Sequence, residues 1–106
     1  MGDAARNIEA GARMTARLAL DARLDSAAAP GLIAALKLRQ GEDLVLDAGA
    51  VTLLGALCAQ ALALAGQSWA AAGLSLRLDP VSSDLSEAAR LLGLAALPPF
   101  CTEGAA

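Results

Sequence analysis

The chain has 106 residues, with 11 acidic and 8 basic side chains, no His and a net charge of −3. That length buries one core without disulfide or metal staples. Eight scattered cations and two aromatics, Trp69 and Phe100, build neither a basic stripe nor a stacking platform for nucleic acid, and without His or a cysteine pair a transition-metal site is not expected.

Residues 1–12 are Ala-rich and weakly patterned, and read as a loose arm or a first edge strand. Asp3, Arg6, Glu9 and Arg13 leave no apolar stretch for a secretion signal, so a cytoplasmic protein with reduced Cys58 and Cys101 is expected. Met14 to Leu20 alternates, with Met14, Ala16, Leu18 and Leu20 on one side and Arg13, Thr15 and Arg17 on the other, the period of a half-buried strand. Asp21 to Arg23 reads as a turn. A helix follows from Leu24-Asp25-Ser26, capped by Asp25 or Ser26, with Pro30 confined to its first turn. Leu32, Ile33 and Leu36 form its core face, Lys37 and Arg39 suit its C-terminal dipole, and Gly41 ends it.

Leu44-Val45-Leu46, a continuous apolar run between Asp43 and Asp47, predicts a central strand buried on both faces. Ala48 to Thr52 is the loop leaving it. Leu54 to Ala72 is the strongest helix, with Leu54, Cys58, Ala61, Leu62, Ala65 and Trp69 on one side and Gly73 closing it. Ser75 to Asp79 alternates as a further strand that Pro80 stops. Ser82 or Ser83 caps a last helix, with Glu87 as its capping-box acid if Ser83 or Asp84 begins it. Leu85, Ala88, Ala89 and Leu92 form its inner face and Gly93 its end. Residues 94–106, with Pro98-Pro99, read as a poorly ordered tail. Alternation of strands and helices predicts one α/β domain with a parallel or mixed sheet.

The 29 positions between Asp47 and Arg77 carry no charge. They are long enough for a membrane helix, which needs about 20 apolar residues. Gly49, Thr52, Gly55, Gln60, Gly66, Gln67, Ser68, Gly73 and Ser75 interrupt them, and no cationic cluster or aromatic belt flanks them, so no span is expected. The outer side of the central helix holds Gln60, Ala63, Gln67 and Ala71, with Leu57 and Leu64 on the shoulder. A face without charges suits either a protein contact, where charged residues are depleted, or cover by another part of the chain.

Little in the sequence supports catalysis. No His stands beside a nucleophile, Lys37 is the only lysine, and Asp21, Asp25, Asp43, Asp47 and Asp79 sit where turns and caps use them. No glycine-rich phosphate loop is present. A non-enzyme without cofactor, catalytic residue or metal site is expected.

The stretch from Leu20-Asp21 through Leu24-Asp25 to Pro30-Gly31-Leu32 resembles the "G-x-L-D-x-x-x-A-x-x-L" opening of STAS domains, the sulphate-transporter and anti-sigma-factor-antagonist domains. Leu44-Val45-Leu46-Asp47 resembles their central strand. Leu78-Asp79-Pro80-Val81-Ser82, followed by Leu85, Ala89, Leu92 and Gly93-Leu94, resembles their "N-P-S-x-x-V-x-x-x-L-x-x-x-G-L" end. The resemblance implies a STAS-like domain over 13–94, with an arm before it and a tail over 95–106. Its fold would be a mixed four- to five-stranded sheet with helices mainly on one side. Family antagonists open the second helix with "D-S-S-G" or "D-S-A-G" and carry a phosphorylated hydroxyl there. The matching Gly55, Ala56, Leu57 and Cys58 lack the acid and both hydroxyls, so the switch is missing at Leu57, with Thr52 as a nearby substitute. Val51 to Gln60 looks more like the STAS proteins of bacterial chemotaxis gene clusters.

These resemblances imply a cytoplasmic signalling module, monomer or weak dimer, that docks on a chemotaxis-type histidine kinase or an anti-sigma-type kinase. Leu54, Gly55, Ala56, Leu57, Gln60 and Leu64 would form the contact, with Leu57 as anchor. Two alternatives share the resemblance: an antagonist switched at Thr52 or another hydroxyl, and a cytoplasmic subunit of a lipid ABC transporter.

Overall fold

Alternating and continuous apolar runs become strands where they can pair, and the alanine- and leucine-rich segments between them become helices. The structure, a computed structural model, describes residues 15–100. In chain order the elements are β1 (Thr15–Ala19), β2 (Arg23–Leu24), a 3-10 turn (Ser26–Ala28), α1 (Ala29–Leu38), β3 (Asp43–Ala48), β4 (Leu53–Leu54), α2 (Ala56–Ala71), β5 (Leu76–Val81) and α3 (Ser83–Leu91). The expected arm or edge strand of 1–12, with Met14 and Cys101, lies outside the described residues.

β1, β3 and β5 form a parallel sheet in that order. Leu18 stands opposite Leu46, and Leu46 opposite Leu78. The core therefore runs across the sheet on this face, where Leu44, Leu46 and Leu78 join Leu32 and Leu36 of α1, Cys58, Leu62 and Trp69 of α2, and Leu85 of α3. Each such buried leucine contributes about 1.5–3 kcal/mol of transfer free energy. The opposite row is Arg17, Val45 and Arg77. Arg17 Nη2 donates to the Asp79 carbonyl at 3.1 Å and lies 3.9 Å from Asp47 Oδ2. One sheet face is thus apolar and carries all three helices; the other carries charges. Asp43, buried at the entry of β3, accepts from the Ser75 amide at 2.9 Å.

The expected α/β class is observed, with three α-helices among the described residues. The described strands differ from one mixed sheet of four or five: three pair in parallel, and β2 and β4 form a separate two-residue parallel ladder. The cause is local. The Ala22 carbonyl accepts the Thr52 and Leu53 amides, and the Leu24 carbonyl accepts the Gly55 amide, so the two loops pair with each other beyond the ends of β1 and β3.

Several boundaries also move. Asp25 caps the 3-10 turn, its Oδ1 accepting from the Ala28 amide at 3.1 Å, and Pro30 lies in the first turn of α1. Leu54 belongs to β4, and α2 begins at Ala56 after Gly55. Pro80 does not stop β5, which runs on to Val81 past an irregularity opposite Leu46–Ala48. Among the described strands β5 pairs on one side only, so the N–H that proline lacks costs no ladder bond there. Ser82 is the cap of α3, which removes Glu87 from the capping-box position; Glu87 instead pairs with Arg90 at 2.6 Å. Ile33 and Leu92 are exposed rather than core. Gly41, Gly73 and Gly93 end the three helices with φ of 94°, 75° and 77°, the left-handed region glycine enters without steric cost.

Within the expected loose tail, residues 94, 99 and 100 pack against the rest of the chain, while 95–98 are exposed. Pro99 is fully buried and Phe100 and Leu94 pack against the core. The segment lies so close to α2 that a Cβ on Gly66 would collide with the Pro98 carbonyl. Ala59, Ala63 and Gly66, at helical spacing on one stripe of α2, are all buried. That stripe of the uncharged helix is covered within the chain.

Candidate functional site

The remaining stripe of α2 is not covered. Leu57 and Leu64 are 54% and 66% exposed, and Gln60 is open to solvent beside them. Seven residues separate the two leucines, two helical turns, so they project in the same direction. α1 packs beside α2 and places Ile33, 41% exposed, facing this stripe across a shallow groove.

The groove has two continuous hollows that share Ile33, Ala61 and Leu64. The one toward the start of both helices, about 490 Å³, is walled by Pro30 and Ser26 against Leu57 and Gln60. The one toward their ends, about 250 Å³, is walled by Leu36, Lys37 and Gln40 against Ala65, Ser68 and Trp69. Trp69 is anchored at this end, since its Nε1 donates to the Glu42 carbonyl at 2.7 Å.

The structure divides the six expected contact residues. Ala56, Leu57, Gln60 and Leu64 are exposed. Leu54 is buried in the core and has no surface to offer a partner. Gly55 is half-buried: its amide donates to the Leu24 carbonyl at 2.8 Å, and a Cβ there would lie 3.2 Å from that same oxygen. Sequence reasoning misses the α1 wall, because Ile33 follows Leu32 and both read as core face. The signal was present in α1 itself: consecutive Leu32 and Ile33 sit 100° apart on a helix, too far for one narrow stripe.

The expected substitute hydroxyl, Thr52, is exposed but engaged. Its Oγ1 donates to the Ala22 carbonyl at 3.1 Å, and its amide donates to the same oxygen at 2.7 Å. Cys58, the residue after Leu57, points inward. It is fully buried, and its thiol donates to the Asp25 carbonyl at 3.3 Å. Burial pushes the thiol pKa up, and the carboxylates of Asp25 and Asp21 push it further. A neutral, enclosed thiol is a poor nucleophile.

Chemically the groove offers apolar surface, two amides, hydroxyls at Ser26 and Ser68 and one ammonium group. Among the described residues no cluster of three His, Cys, Asp or Glu side chains could hold a metal ion, and no helix is long and apolar enough to cross a membrane. No family model, curated protein or solved structure matches the chain.

Proposed function

We propose that this chain is a non-catalytic, STAS-like interaction module of bacterial signal transduction, acting in the cytoplasm. It docks on a chemotaxis-type histidine kinase or a related regulator and does not use the family's phospho-switch. The observation that carries this reading is the position of Leu57. At the place where the family's antagonists bear a phosphorylated hydroxyl, this chain has an exposed leucine, and it stands in an apolar groove with Ile33 and Leu64. A phosphate at that point would bring nearly two negative charges to an apolar surface and oppose docking; leucine favours it constitutively. Control then resides in the partner. The engagement of the Thr52 hydroxyl with Ala22 weighs against a switch at that residue.

The test is co-purification from the native cell, with captured proteins identified by mass spectrometry, comparing the wild-type chain with Leu57→Arg. Leu57 is exposed, so the variant keeps its circular-dichroism spectrum and melting temperature. A histidine kinase captured by wild type and lost with Leu57→Arg is the expected result. Capture unchanged by the substitution, or a kinase absent from the wild-type eluate, overturns the reading.

A further inference from the structure

The groove between α1 and α2 has a direction. Its lining is mostly apolar and without charge from Pro30 and Leu57 onward, and its single formal charge, Lys37, stands at the Trp69 end. No carboxylate lines either hollow, and Lys37 has no ion-pair partner among the described residues. Its floor is made of small side chains: Ala61 and Ala65 lie one turn apart, where a second helix can approach closely. The stretch from Leu57 to Ser68 is about 16 Å of helix, or three turns.

Two other occupants fit less well. A second copy meeting this patch through a twofold axis would bring the same surface against itself, with a lysine on each side and no counter-charge on either. A small amphiphile would be enclosed over most of its surface in a fitting pocket, whereas this groove is open along its length, with Leu57 and Leu64 more than half exposed.

We infer that the groove receives an amphipathic helix of about three turns from another protein. Its apolar side chains, at helical spacing, seat between Ile33 and Leu64 and over Ala61 and Ala65. A carboxylate on the same helix pairs with Lys37. The inference rests on the docking reading above and adds the partner's chemistry and orientation.

Trp69 lines the Lys37 end but is buried in the core, so binding is followed by isothermal titration calorimetry. The probes are two synthetic fourteen-residue, alanine-based helical peptides without tryptophan. Both carry leucine at four positions of one face; one has Glu at the end that reaches Lys37, the other has Lys there. At low salt the Glu peptide binds saturably and about three-fold more tightly than the Lys peptide, a difference in the range of an exposed ion pair. Lys37→Glu reverses that preference, and Leu64→Asp, at an exposed position, removes binding of both peptides. The inference is overturned if neither peptide binds, if both bind wild type equally, if Lys37→Glu leaves the preference unchanged, or if Leu64→Asp binds as wild type does. It is overturned in favour of a lipid-like ligand if dodecanoate displaces the Glu peptide at lower concentration than the peptide itself requires. It is overturned in favour of self-association if sedimentation shows a dimer that Leu64→Asp dissolves. Peptide preference without kinase capture sinks only the proposed partner class; kinase capture lost in Leu57→Arg without peptide preference sinks only this inference.

Discussion

Gly66 and Pro98, thirty-two residues apart in sequence, meet at the back of α2, where the Pro98 carbonyl occupies the space of the missing Cβ. This contact accounts for one side of the uncharged helix. It closes residues 98–99 over Gly66, on the stripe where Ala59 and Ala63 are buried as well.

Gly66→Ala tests that contact through the sign of its effect. In an exposed helix the exchange stabilises by about 0.5–1 kcal/mol, because alanine is the better helix former. Here the methyl group displaces the backbone of residues 98 and 99, and overpacking of this kind costs about 1–3 kcal/mol. A net loss of stability in urea unfolding is expected. A gain would show that 94–100 does not pack on α2.

Ser82 and Ser83 separate in the same measurement. Ser82 Oγ accepts from the Leu85 amide at 3.1 Å and donates to the Val51 carbonyl at 2.6 Å, so it caps α3 and ties that helix to the loop after β3. Ser82→Ala is expected to cost about 1–2 kcal/mol through the lost cap and the unpaired carbonyl. Ser83→Ala, at an exposed position just inside the helix, stays within about 0.5 kcal/mol of wild type. Equal effects would contradict the cap.

Cys58 gives a prediction in pH. Burial foremost, then Asp25 and Asp21, raise its pKa in the folded chain above the ordinary thiol value. The folded state therefore keeps its proton where the unfolded state has lost it, and stability falls as pH rises from the ordinary thiol range toward the raised value. Its contribution is fully present below that range. Unfolding free energies measured between pH 8 and 10 should decline more steeply for wild type than for Cys58→Ala. A thiol reagent at pH 8 should modify Cys58 only at the rate of unfolding. Immediate modification in the native state would contradict its enclosure.

Much of the backbone could be read locally. The two-residue period of Thr15 to Ala19, the continuous run around Val45, and the glycines at 41, 73 and 93 depend on geometry within a few residues, and all appear in the structure as strand, central strand and helix ends. The structure departs from the local reading where a residue's fate depends on a distant neighbour. Pro80 stays within a strand because β5 pairs on one side only. Leu54 is drawn into the core by pairing with Leu24, thirty residues earlier.

The uncharged helix shows the same division most clearly. Periodicity marks its inward stripe of Cys58, Leu62 and Trp69, because that stripe follows from 3.6 residues per turn. The other two stripes read alike, both poor in charge and rich in small or aliphatic residues. Only tertiary packing separates them: the segment at 98–99 closes over Gly66, while α1 stands far enough from Leu57 and Leu64 to leave a groove between Ile33 and Leu64. Burial of a side chain off the core stripe is decided by what lies across from it in space, and that neighbour comes from a part of the chain that no local period encodes.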